Sequence, residues 1–201
     1  MVPALEKIIA ESNRIVFFGG AGVSTESGIP DFRSVDGLYH QKFRYPPETI
    51  LSHTFYERHK EEFFDFYRQK LIAPEARPNA AHVKLAQWER DGKLKAVITQ
   101  NIDGLHQAAG SRTVYELHGS TLRNYCLPYC NFYGVDAILH STGVPKCSCG
   151  GDIKPDVVLY EESLDMQMME QALEYISRAD MLIIGGTSLV VYPAAGLVQY
   201  Y

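Results

Sequence analysis

The chain has 201 residues, 46% of them apolar and 21% charged, which suits one soluble domain of ordinary size, with or without a small insert. Its formal net charge of -5 excludes the basic footprint of a nucleic-acid binder. Glu6 and Lys7 interrupt the apolar N-terminus, which is therefore no signal peptide, and the longest apolar stretch, around Met181 to Ile184, is too short to span a membrane. A cytoplasmic protein without membrane partners is expected.

Leu5, Ile8 and Ile9 carry helical spacing, and Arg14 to Phe18 then reads as a buried strand stopped by Gly19 and Gly20. A glycine-containing turn leads to Pro30-Asp-Phe-Arg33. Phe55 to Leu71 reads as one helix with an aromatic stripe of Phe55, His59, Phe63, Phe66 and Tyr67. Asn79 is a fitting N-cap for a helix that stops near Gly92. Leu94 to Thr99 is a strand, Asp103 to Ala109 a short helix, and Thr113 to Leu117 a strand again. Pro155 to Tyr160 is extended, Asp165 caps a helix to Arg178, and Met181 to Ile184 is the last clear strand.

Strands alternating with helices imply crossovers, and hence an α/β fold with a Rossmann-like parallel sheet and helices on both faces. Residues 34–77 and 124–151 break that alternation. They read as insertions that pack together as a small helical and zinc-binding domain, leaving 1–33, 78–123 and 152–201 as the larger one.

All four cysteines, Cys126, Cys130, Cys147 and Cys149, lie within that second insertion. In a reducing compartment such a cluster reads as metal ligands before disulfides. The spacings are C-x-x-x-C and C-x-C rather than C-x-x-C twice, so both pairs depart from the common knuckle. Four thiolates in two pairs still suit one tetrahedral ion, and structural zinc is favoured over reduced thiols.

Gly19-Gly-Ala-Gly-Val-Ser-Thr-Glu-Ser-Gly28 directly follows a strand. Glycines there let a backbone approach a pyrophosphate, though the third glycine of G-x-G-x-x-G is absent, and a tight strand-to-helix turn would read alike. The stretch from Gly20 to Arg33 resembles the cofactor-binding segment of sirtuins almost letter for letter. Thr99-Gln-Asn-Ile-Asp-Gly-Leu-His106 resembles their second signature and Leu117-His-Gly119 their third. Lys154-Pro-Asp-Val-Val158 and Gly185-Gly-Thr-Ser-Leu189 resemble the substrate strand and a second cofactor loop.

The resemblance implies an NAD-dependent protein-lysine deacetylase or deacylase, a transferase that consumes NAD. The acyl oxygen of a modified lysine attacks the nicotinamide ribose, and the products are nicotinamide, O-acyl-ADP-ribose and free lysine. His118 occupies the position of the general base, a role that suits imidazole near neutral pH. Asn101, Ile102 and Asp103 match the nicotinamide pocket, although Asn and Asp before Gly104 would also start a helix. Phe32 resembles the aromatic that shields the reaction centre. Arg33 and Gln100 match cofactor contacts, together with Gly20, Ala21, Gly22 and Thr25 of the first loop and Gly185, Thr187 and Ser188 of the second. Val157 and Val158 lie where the acyl-lysine protein or peptide would pair by strand addition. Tyr67 and Lys70 match only in part a Tyr-x-x-Arg pair found in sirtuins that remove acidic acyl groups, so acetyl is the default and Lys70 reads as a solvated charge.

The family normally continues beyond the equivalent of Tyr201 through a strand and a helix that contact adenosine. The resemblance therefore leaves two alternatives beside deacylation: mono-ADP-ribosyl transfer from the same NAD site, or a catalytically weak acyl-lysine peptide-binding module.

Overall fold

The computed structural model describes residues 3–128 and 131–201. Four strands form a parallel sheet: Ile15–Gly19 (β1), Leu94–Thr99 (β2), Val114–Glu116 (β3) and, numbered in chain order, Met181–Gly185 (β7). Their order is β3-β2-β1-β7. The chain builds outward from β1 through β2 to β3, then returns to the other side of β1, so the connection reverses between β1 and β7. Ligands of open parallel sheets bind beyond the strand ends at such a reversal.

The period of two along β1 explains the layers. Val16 and Phe18 point to one face and pack with Ala172 and Ile176 of the helix Met166–Ser177, which Asp165 caps through the amide of Met168 at 3.0 Å. Ile15 and Phe17 point to the other, against Leu85 of the helix Ala80–Arg90 and Ile9 of the helix Pro3–Glu11. In chain order these helices are α8, α5 and α1. Asn79 caps α5 as its side chain accepts from the amide of Ala81 at 3.0 Å.

A second sheet, of order β5-β4-β6, is antiparallel and consists of Gly119–Cys126 (β4), Phe132–Tyr133 (β5) and Ile153–Val157 (β6). The strand β4 was not anticipated. Its buried positions include Ser120, Thr121 and Asn124 while Leu122 is exposed, so the apolar alternation that announces a strand is inverted.

The helices Pro47–Ile50 (α2), His53–Arg58 (α3), Lys60–Lys70 (α4) and Asp136–Leu139 (α7) lie beside this sheet, and Leu105–Ala108 (α6) follows β2. Phe55, Phe63, Phe64 and Tyr67 share one core with Ile138, Cys147 and Ile153. The single helix expected from Phe55 to Leu71 is divided at His59, whose backbone leaves the helical region at φ -137 and ψ 49. Its imidazole stacks on Phe55 with centroids 4.7 Å apart, so the aromatic stripe continues although the helix does not.

Arg123 of β4 joins the two sheets. Its Nη1 donates to Glu116 of β3 at 2.6 Å and its Nε to Asp156 of β6 at 2.7 Å. Glu116 is only 5% exposed, and losing its guanidinium would leave a buried carboxylate unpaired.

The layering predicts unequal costs within the parallel sheet. Ile98 is 0% exposed on β2, whereas Ile184 on the edge strand β7 is 44% exposed. Urea unfolding of Ile98→Ala should show a loss of about 2–5 kcal/mol, and Ile184→Ala less than about 1 kcal/mol. Equal losses would contradict the layer assignment.

Candidate functional site

The loops leaving the C-terminal ends of β1, β2 and β3 converge on one cavity of about 270 Å³. Its wall takes Ala21 and Ser24 from the first loop, Gln100 to Asp103 from the second and His118 from the third. Phe32 and Arg33 line it from the segment after the first loop, and Val157 and Val158 from the end of β6. Ten of the residues singled out by sequence thus meet around one space.

His118 is half-buried, with Nδ1 3.0 Å from the carbonyl oxygen of Gln100. A carbonyl only accepts, so Nδ1 carries the proton, and Nε2 keeps its lone pair for the cavity. Burial pulls the imidazole pKa below its ordinary value, and the bond to Gln100 opposes this in part. The ring is therefore held neutral, in one tautomer. Gly119, at φ 78, permits the turn that follows: a Cβ there would stand 1.9 Å from the Asp156 carbonyl oxygen.

Beneath the cavity Ser24, 1% exposed, donates to Asp103 Oδ2 at 2.6 Å and accepts from Asn101 Nδ2 at 3.1 Å. The other Asp103 oxygen accepts from the amide of Leu105 at 2.9 Å, so one carboxylate both holds the first amide of α6 and joins this network. The Asn101 amide donates to Thr99 Oγ1 at 3.0 Å. Ser24 was the residue sequence reasoning passed over, because a serine in a glycine-rich turn carries no signal of its own.

The remaining cofactor-loop positions are arranged beside the cavity. A Cβ on Gly20 would lie 2.8 Å from the Gly186 oxygen, and one on Gly22 would lie 2.9 Å from the Gly186 Cα. The glycines thus let the loops after β1 and β7 touch, with the Gly22 amide donating to the Gly186 carbonyl at 2.8 Å. Gly185 ends β7, and Thr187 accepts from Gln100 Nε2 at 3.0 Å. Thr25 and Ser188 are exposed and do not line the cavity. Lys70, expected as a solvated charge, instead lines the cavity half-buried, with Nζ 3.2 Å from Gln41 Oε1. Tyr67 is fully buried, as its packing reading requires.

One buried pair nearby lies outside that network. The rings of His82 and His106 stand 4.7 Å apart, and neither nitrogen of His106 has a hydrogen-bond partner among the described residues. Burial first, and His82 second, push the His106 pKa down to about 3.

The sulfurs of Cys126, Cys147 and Cys149 lie within 4.8 Å of one another; Cys130 falls outside the described residues. Thiolates around one tetrahedral zinc stand about 3.8 Å apart, so the three fit such an ion. The Cys149 amide, then the Tyr133 hydroxyl at 3.0 Å, stabilise the Cys147 thiolate and lower its pKa to about 6. That is the ligating form. A Cβ on Gly151 would meet Pro128 at 2.7 Å, so this turn needs glycine to close on the cysteines.

A model of the Sir2 family matches residues 20–193. An NAD-dependent protein deacetylase of Clostridium perfringens is 64% identical over 200 residues, which are 98% of this chain and 82% of that protein. Another of the same description, from Clostridium acetobutylicum, is 62% identical over 201 residues, with the same coverages of 98% and 82%. Among solved structures, a mutant Sir2 homologue in complex with ADP ribose superposes with a TM-score of 0.91 at 40% identity, covering 100% of this chain and 80% of its own. A structure of Sir2 with p53 peptide and NAD+ gives 0.86 at 41% identity, covering 100% and 81%.

Two measurements check the geometry. Because His106 binds its proton less readily folded than unfolded, its contribution to stability is complete above about pH 6.5 and is lost as pH falls toward about 3. His106→Leu removes that loss and breaks no hydrogen bond. Its unfolding free energy in urea should therefore rise relative to that of the unsubstituted protein as pH drops from 6.5 to 4.5, by at most about 1.4 kcal/mol per pH unit. Metal analysis should find one zinc per chain, and Cys147→Ser should release it and lower the melting temperature; retention of zinc would contradict the cluster's assignment.

Proposed function

The chain belongs to the Sir2 family, and from that premise we infer that it is an NAD-dependent protein deacetylase whose reaction runs in the cavity beyond β1, β2 and β3. The observation that carries the residue assignments is the 3.0 Å contact of His118 Nδ1 with the Gln100 carbonyl, which leaves Nε2 for a cavity shared by the loop of Ala21 and Ser24 and the end of β6. NAD, when bound, supplies an electrophilic ribose carbon with nicotinamide as its leaving group, and the acyl-lysine oxygen takes nicotinamide's place.

His118 is the general base in this proposal, and Nε2 accepts the proton of a ribose hydroxyl. The Gln100 carbonyl stabilises the imidazolium that results, through the bond at Nδ1. Asn101 and Asp103, held in place by Ser24, bind the nicotinamide amide alongside Ile102. Phe32 covers the reacting carbon and excludes water. Ala21, Arg33 and Gln100 contact the phosphates and ribose, while Gly20, Gly22, Gly185 and Thr187 shape the loops behind them. Thr25 and Ser188 belong to the same loops at more exposed positions.

Val157 and Val158 receive the acyl-lysine peptide. The strand β6 is an edge of the small sheet, and beyond Ile153, whose amide donates to the Pro145 carbonyl at 2.9 Å, its outer side faces strand addition in this proposal. Cys126, Cys147 and Cys149 hold a structural zinc in this proposal, with Cys130 as the sequence's candidate for the fourth ligand and no part in the chemistry. The division into residues 1–33, 78–123 and 152–201 and residues 34–77 and 124–151 belongs to the same proposal. So does a cytoplasmic location, supported by thiolate ligands and NAD, which both suit a reducing compartment. Among the described residues no helix is long and apolar enough to cross a membrane.

Nicotinamide release from NAD should depend on an acetyl-lysine peptide, and His118→Ala should lower it by about 10²–10⁴-fold. Because the imidazole pKa lies below its ordinary value, the base stays neutral in mild acid. The acid limb of kcat/KM should then fall below pH 6.5 rather than above it. Release without peptide, or undiminished in the variant, would sink the assignment.

A further inference from the structure

The segment after the glycine loop doubles back on itself. The Leu38 amide donates to the Asp31 carbonyl and the Tyr39 amide to the Phe32 carbonyl, each at 2.9 Å. Gly37 makes this possible, since a Cβ there would lie 2.7 Å from the Phe32 carbonyl carbon. The fold brings the Tyr39 ring edge-on to Phe32, with centroids 5.5 Å apart, and under the Arg33 guanidinium at 5.1 Å. Tyr39 thus supports both cavity-lining residues of this segment from behind.

Tyr160 stands at the end of the substrate strand and lines the same cavity. Its backbone is anchored to the small domain: its amide donates to the Leu51 carbonyl and its carbonyl accepts from His53, both at 2.9 Å. The next residue, Glu161, holds a left-handed backbone at φ 75 that few side chains adopt, and its carboxylate accepts from the Thr54 amide at 2.8 Å. The position of Tyr160 is therefore set from both sides. Its hydroxyl meets that of Tyr39 at 2.6 Å.

We propose that the Tyr39 and Tyr160 hydroxyls form a latch between the cofactor-side segment and the substrate strand, so that a peptide docked on residues 157–160 also holds Phe32 and Arg33 over the cavity. Both tyrosines are positioning residues, and the effect on NAD rests on the deacetylase reading above. The hydroxyls are the direct hydrogen-bonded link between these two segments among the described residues. Burial and this bond also keep Tyr39 protonated well above the usual range for a phenol, so the latch persists across physiological pH.

Tyr39→Phe, Tyr160→Phe and the double variant remove the link and keep the rings. One net hydrogen bond corresponds to roughly a two- to tenfold effect. Each single variant should raise the KM for NAD by that factor, measured with saturating acetyl-lysine peptide, with kcat changing less. The double variant should be no worse than either single one, since both break the same bond. Amide hydrogen exchange supplies a readout that needs no turnover: Tyr160→Phe should speed exchange at Leu38 and Tyr39 by a similar factor. Unchanged exchange at those amides, or single effects that multiply in the double variant, would overturn the latch. Faster exchange in a protein without peptide-dependent nicotinamide release would leave the latch standing and count against the deacetylase reading instead.

Discussion

The hydrogen bond from His118 Nδ1 to the Gln100 carbonyl spans 3.0 Å and joins the loops that leave two neighbouring parallel strands. It can form because β2 and β3 run in the same direction and end at the same level, with Thr99 opposite Glu116. An antiparallel pair would send those loops to opposite ends of the sheet. The β1 loop joins them by the same geometry, since Gly19 lies opposite Thr99 on one side and Gly185 on the other. Strand direction thus gathers the cofactor loops, the polar network and the proposed base at one edge, and a single carbonyl sets which imidazole nitrogen faces the cavity.

Polar order under the cavity follows from that convergence. Ser24 comes from the first loop and Asn101 and Asp103 from the second, and their hydrogen bonds satisfy groups buried from water. On the opposite wall, segment 31–39 faces the end of β6. The two meet through aromatic side chains and one hydroxyl pair rather than through a shared sheet.

Much of this was legible in the sequence. Apolar runs such as Ile15 to Phe18 and Val97 to Ile98 announced buried strands, and the strand-helix alternation announced their direction. The motif residues Ala21, Phe32, Arg33, Asn101, Asp103 and His118 were found together at the cavity. What escaped was written in polar residues. The strand β4 buries Ser120, Thr121 and Asn124, so no periodicity revealed it. Ser24 acts only through partners brought from residues 101 and 103, which a local reading does not see. The division at His59 is a backbone event inside a continuous aromatic stripe, so the pattern ran through it unbroken. A further role of Gly20 and Gly22 went unread: in the fold they also make room for the Gly186 loop. That close contact between loops is long-range, whereas the turn that each glycine enables is local.

The central claim is that the fold holds His118 neutral, with its proton on Nδ1 and its lone pair on Nε2. Nitrogen-15 chemical shifts of the His118 ring, followed through a pH titration of the intact protein, test it most directly. The account predicts a protonated Nδ1, an unprotonated Nε2 and a titration midpoint below 6.5. A ring with its proton on Nε2, or a midpoint above that value, would contradict it.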